Sequence, residues 1–210
     1  KYPIYEYFTD IKPNLSGGVI EAATDPEFRN VRTILELPKD TLVFAGTEMI
    51  RCTDAFRYWR IRSTNGGLLD MAELHFYDGD QKLDAELFTT VVDEKSCSVV
   101  DQIDDDDALT YASLQDPNNS IWFDFHRPVN VSKIIWIRRG DGNDIYPGYD
   151  YTLYYWNNRN WMVIERQCAG LHTWIDFQNI PENALLYLAC DTTGIQSRPF
   201  LYQNGIIVWY

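Results

Sequence analysis

The stretch Ser120-Ile121-Trp122-Phe123-Asp124-Phe125-His126-Arg127-Pro128-Val129-Asn130-Val131-Ser132-Lys133-Ile134-Ile135-Trp136-Ile137 decides the fold class. Ile121 to Phe125 is a short run of apolar and aromatic residues, Arg127-Pro128 supplies turn chemistry, and Val131 to Ile137 rises into a second apolar run. Short runs of β-branched and aromatic residues between turn formers are strand signals. Upstream, Arg57-Tyr58-Trp59-Arg60-Ile61-Arg62 alternates charged and apolar, as a strand with one wet face does. Asn118-Asn119, Gly140-Asp141-Gly142-Asn143, Pro147-Gly148 and Asn157-Asn158-Arg159-Asn160 punctuate the chain where strands should stop. Only short helices are expected, around Asp25 to Asn30 and Asp104 to Ala112. The reading is all-β, an antiparallel β-sandwich or jelly roll, with Trp122, Phe123 or Phe125, Ile135, Ile137, Leu153 and Tyr187 in its core.

The 210 residues, 45% of them hydrophobic, suffice for a packed core and exclude disorder as the main state. Acidic residues outnumber basic ones 31 to 18, a net charge of -13, which argues against nucleic acid or anionic membrane as a partner. No run approaches the roughly 18 apolar residues of a membrane helix, and no signal-peptide pattern begins at Lys1. Aromatics reach 15%, more than a core needs, so some rings are expected at the surface or in the β scaffold. Cys52, Cys97, Cys168 and Cys190 lie far apart without zinc-ligand spacing and are expected to be free, buried thiols.

An internal repeat is visible. Gly18 and Gly148 each open a strand, followed at an offset of 13 by Val31 and Trp161 and at 16 by Ile34 and Ile164. Phe56 to Trp59 answers Leu185 to Leu188, and Glu73 to Gly79 answers Pro199 to Gly205. The expected division is a β-rich partial copy over residues 1–78 and a complete one over 79–210.

Ile103-Asp104-Asp105-Asp106-Asp107-Ala108-Leu109-Thr110-Tyr111 resembles the acidic loop of discoidin domains, the C-type domains of coagulation factors. Ser120 to Ile134 is similar to their Trp-apolar-Asp-apolar strand and Pro-Val turn. Gly148 to Tyr155 with Asn160 to Ile164 resembles their tyrosine hairpin, and Phe56 to Ile61 and Met71 to Phe76 their closing strands. The chain's end, Arg198 to Tyr210, departs from the family's Glu-bearing last strand and is similar to C-termini of secreted Bacteroidetes proteins. The resemblance implies a galactose-binding-like jelly roll that binds sugars, lipids or proteins without catalysis, in an extracellular, cell-surface or periplasmic setting.

The three histidines, His75, His126 and His172, stand in no metalloprotease pattern, and no serine or cysteine has a recognisable catalytic neighbourhood. Asp104 to Asp107 is the densest charge feature. Adjacent carboxylates repel unless an open loop or a cation relieves them, and hard oxygen donors in a turn suit Ca²⁺. The resemblance implies a structural calcium there, held by Asp104 and Asp106 with Thr110 as a further ligand, although Asp105 stands where the family has Gly. For a sugar, the required set is an aromatic face beside planar polar groups. Arg139, Asp141, Asn143, Asp144 and Tyr146 supply it within one loop, whose other reading is a polar connection with a structural tyrosine.

The expected function is a non-catalytic module binding a glycan or glycoprotein, without membrane insertion. The alternatives are a structural or protein-interaction β-sandwich and an accessory part of a glycan-degrading enzyme.

Overall fold

A computed structural model describes residues 17–39, 45–64, 69–89, 100–114, 120–140, 144–171, 175–203 and 206–210. The chain divides between Gly142 and Asn143 into two compact units.

The first unit is an antiparallel sandwich. Its strands are β1 (Val19–Ala23), β2 (Arg32–Glu36), β3 (Ala45–Met49), β4 (Phe56–Arg62), β5 (Leu69–Asp78), β6 (Gln81–Lys82), β7 (Glu86–Thr89), β8 (Ala112–Leu114), β9 (Ser120–Val129) and β10 (Lys133–Arg138). One sheet runs β2-β1-β4-β9-β7, and the other β3-β10-β5-β6 with β8 on β5. The two-residue period of β4 turns Trp59 and Ile61 inward and leaves Tyr58, Arg60 and Arg62 half-buried on the outer face. Likewise Ile121, Phe123 and Phe125 of β9 point inward. The ring of Phe76 on β5 packs edge-on against Trp59 (5.3 Å), Phe123 (4.9 Å) and Phe125 (5.6 Å), which joins the two sheets. Each such buried ring contributes about 1.5 to 3 kcal/mol by leaving water. Trp136 on β10 is also buried, and Gly46 faces it across β3.

The second unit is built on one sheet, β12-β11-β13-β14-β15, from β11 (Asp150–Trp156), β12 (Trp161–Cys168), β13 (Leu185–Cys190), β14 (Phe200–Gln203) and β15 (Ile206–Trp209). Tyr151, Leu153, Leu186, Leu188 and Phe200 form its core, with Ile175, Phe177 and Ile180 packed on them.

The all-β, antiparallel class stands, but the expected division of the chain does not. The boundary at 78/79 falls within the first unit, because β9 and β10 pair with β4 and β5 and share their core. The complete sandwich is therefore the earlier unit. Strand periodicity reports which face is apolar, whereas the pairing partner is chosen by long-range complementarity. The expected repeat has a counterpart in pairing: β2-β1-β4 and β12-β11-β13 are each a hairpin plus a returning strand. The copies part at the next strand, since β5 enters the opposite sheet and β14 stays on β13.

Trp122, Ile135 and Tyr187 are half-buried, not core, and Trp136 takes the place expected of Ile135. Turns occupy 25–30, and a short 3-10 helix at Val100–Ile103 leads into the turns after Asp104. Cys52 is half-buried, Cys168 exposed and Cys190 buried, all three unpaired, while Cys97 lies outside the described residues.

Candidate functional site

The loop expected to bind sugar straddles the boundary between the two units. Arg139 belongs to the first unit, where Nη1 pairs with Oδ2 of fully buried Asp70 at 2.9 Å and the guanidinium lies 3.9 Å above the Tyr111 ring. Tyr146 belongs to the second unit and is only 2% exposed, its ring 5.6 Å from that of Tyr149. Its N–H donates to Tyr151 Oη at 2.8 Å, and that hydroxyl donates to the Asp144 carbonyl at 3.4 Å. Burial pushes the Tyr151 hydroxyl far above the ordinary tyrosine range. The Tyr146 ring thus has no face left for a ligand, which corrects the expected exposed rim site. Asp141 and Asn143 lie outside the described residues.

The acidic loop closes on β5, which is buried on both faces. Leu74 and Phe76 enter the core, while Glu73 and His75 meet the loop. His75 Nε2 lies 2.6 Å from Glu73 Oε2, 3.3 Å from Asp104 Oδ1 and 3.5 Å from Asp106 Oδ1. Lys82 Nζ, at the end of β6, reaches Asp104 Oδ1 at 2.8 Å and Asp106 Oδ1 at 2.9 Å. Thr110 does not join this set: its hydroxyl donates to Asp105 Oδ2 at 2.8 Å, and Asp105 Oδ1 also accepts from the Asp107 N–H.

The electrostatics of this cluster are uneven. Burial raises the carboxyls of Glu73 and Asp104 despite the neighbouring His75 and Lys82, whereas the Lys82 hydrogen bond lowers that of Asp106. Burial alone would lower the Lys82 ammonium, but its bonds to Asp104 and Asp106 outweigh this and raise it. Calcium needs oxygen donors free to converge on it. Here an ammonium and an imidazole nitrogen already stand against the two aspartate oxygens, so the residues as arranged do not fit calcium.

A third constellation escaped the sequence reading. On the outer face of the β2-β1-β4-β9-β7 sheet, Pro26, Tyr58, Phe88, Thr89, Trp122 and Asp124 line an open cleft of about 400 Å³. Phe88 is 42% exposed, and Tyr58 and Trp122 are half-buried. Arg57 grips Asp124 through Nε–Oδ1 at 2.7 Å and Nη2–Oδ2 at 2.8 Å, and its guanidinium lies 4.9 Å from the Tyr58 ring centre. The Arg57 hydrogen bond holds the Asp124 carboxyl below the usual carboxylate range, with the His126 N–H adding to it.

The ring of Trp122 is braced from below. Its Nε1 donates to Ser120 Oγ at 2.6 Å, and its ring lies 5.1 Å from that of Phe28. The Arg60 guanidinium covers Phe28 at 4.2 Å, and buried Glu21 holds Arg60 and Arg62 at 2.7 and 2.9 Å. Phe28 itself has φ of +52°, a left-handed conformation that is costly for a bulky residue and is kept only where the surroundings demand it. The alternation in Arg57 to Arg62 was visible in sequence, but the partners from β9, β7 and the Asp25 to Asn30 turn were not.

No family model, no curated protein and no solved structure matches this chain. Among the described residues no helix is long and apolar enough to cross a membrane.

Proposed function

We propose that the chain is a non-catalytic carbohydrate-binding module whose ligand lies in the Tyr58–Phe88–Trp122 cleft. The observation that carries this reading is the pairing of one exposed and two half-buried aromatic rings with an ionic fork, Arg57–Asp124, on one sheet face. Aromatic faces stack on the C–H face of a sugar, and a guanidinium held in one plane directs its remaining donors at hydroxyls. Strands hold such a set more firmly than a rim loop would, so little ordering is needed on binding. Each exposed polar contact nets only about 0.5 to 1.5 kcal/mol against water. Affinity therefore sits in the millimolar to micromolar range, roughly -4 to -8 kcal/mol.

A glycan array followed by calorimetry on the strongest binders tests the reading, with Trp122→Ala as control. Expected is measurable binding that the substitution removes while the chain still melts in a cooperative, lowered transition. An array without binders, or binding that Trp122→Ala leaves intact, refutes it.

A further inference from the structure

We propose that Lys82 is the resident cation of the acidic cluster, an internal ammonium that fastens the Asp104–Thr110 loop to β5 in the place where a divalent ion would otherwise be needed. Five carboxyl-bearing or nitrogen-bearing side chains converge there from three segments: Glu73 and His75 from β5, Lys82 from β6, and Asp104 and Asp106 from the loop. Ligand atoms of Glu73, His75 and Asp106 lie within 4.8 Å of one another, a spacing at which a nearby cation favours the charged carboxylates. Lys82 Nζ supplies one, at salt-bridge distance from both aspartates.

A second observation marks the cluster as a cation pocket and not a solvated acidic turn. The Glu73 side chain is 2% exposed, and its Oε1 accepts no hydrogen bond. Such an orphan oxygen is costly and would be relieved by a metal ion. The Lys82 side chain, 26% exposed and borne by a two-residue strand, reaches the aspartates but satisfies neither oxygen of Glu73. Removing the ammonium leaves the carboxylates of Glu73, Asp104 and Asp106 gathered around His75 without the lysine among them. The wild-type chain is thus calcium-independent, and the Lys82→Ala chain acquires a dependence on Ca²⁺.

The test uses the full chain at neutral pH, in EDTA and in 10 mM CaCl₂, on wild type, Lys82→Ala and the charge-retaining Lys82→Arg. Wild type and Lys82→Arg are expected to melt alike in both buffers. Lys82→Ala is expected to melt about 4 °C or more lower in EDTA and to recover in CaCl₂ by mass action. In wild type, the ¹⁵N-detected Lys82 ammonium signal, identified by its loss in the variants, should be slowly exchanging and unmoved by CaCl₂. The proposal is overturned if Ca²⁺ raises the wild-type melting temperature or displaces the ammonium signal. It is equally overturned if Lys82→Ala melts like wild type in EDTA or gains nothing from Ca²⁺. Should Lys82→Ala fold in neither buffer, the wild-type ammonium signal decides alone.

Discussion

Arg57 and Asp124 meet through two parallel hydrogen bonds of 2.7 and 2.8 Å across the β4–β9 pairing, on the sheet face that carries Trp122. This geometry fixes the guanidinium plane while leaving 38% of the arginine side chain to solvent. Arg57→Ala is expected to weaken glycan binding roughly tenfold, the worth of one charge-assisted contact. Its melting temperature should fall by a few degrees, because Asp124 is only 9% exposed and keeps the His126 N–H but loses its ionic partner. Calorimetry and thermal melts on the same samples separate the two effects.

Glu21 is 2% exposed and holds two arginines, Arg60 and Arg62, with Arg60 in turn covering Phe28 beneath Trp122. Burial alone would raise its carboxyl, but the bonds to Arg62 and Arg60 win and lower it below 4.5. A lowered folded-state value means that the unfolded chain takes up the proton first as pH falls. The stabilisation is therefore complete above the unfolded value and is lost as pH drops through the folded one. Denaturant titrations from pH 7 to 2 should show a shallower acid decline for Glu21→Gln than for wild type. At pH 7 the substitution should cost roughly 2 kcal/mol, the low end for a broken buried pair because Arg62 can turn to water.

Gly46 and Trp136 are register partners on β3 and β10, and a Cβ at position 46 would lie 2.6 Å from Trp136 Cζ2. The indole is packed in the core and cannot yield freely. Gly46→Ala should destabilise the first unit by about 1 to 3 kcal/mol, the usual cost of overpacking. Combining it with Trp136→Leu, which vacates the contested space, should give less than the sum of the two single losses. Chemical denaturation of the four chains checks this.

A substitution at Tyr146 tests the cleft against the loop first expected to bind sugar. With its ring buried, Tyr146→Ala should destabilise the second unit by about 3 kcal/mol and leave glycan affinity unchanged. Unchanged melting with lost binding would restore the loop as the ligand site.

The antiparallel β class, the charged and apolar alternation of β4, and the density of acid at Asp104 to Asp107 were legible in sequence, because each depends on local periodicity or composition, whereas on β9 Trp122 was expected inside and lies on the outer face. The repeat was legible too, but only as far as β1, β2 and β4 answer β11, β12 and β13.

Tertiary structure alone decided the rest. It joined β9 and β10 to β4 and β5, so the complete sandwich is the earlier unit, and it assigned Arg139 to the first unit and Tyr146 to the second. It also carried Lys82 to Asp104 and Asp106, and brought Tyr58, Phe88 and Trp122 to one cleft from three strands. Local periodicity sets which side chains of a strand share a face. Which distant strands pair depends on burying those faces against one another, a cooperative choice that no local window contains.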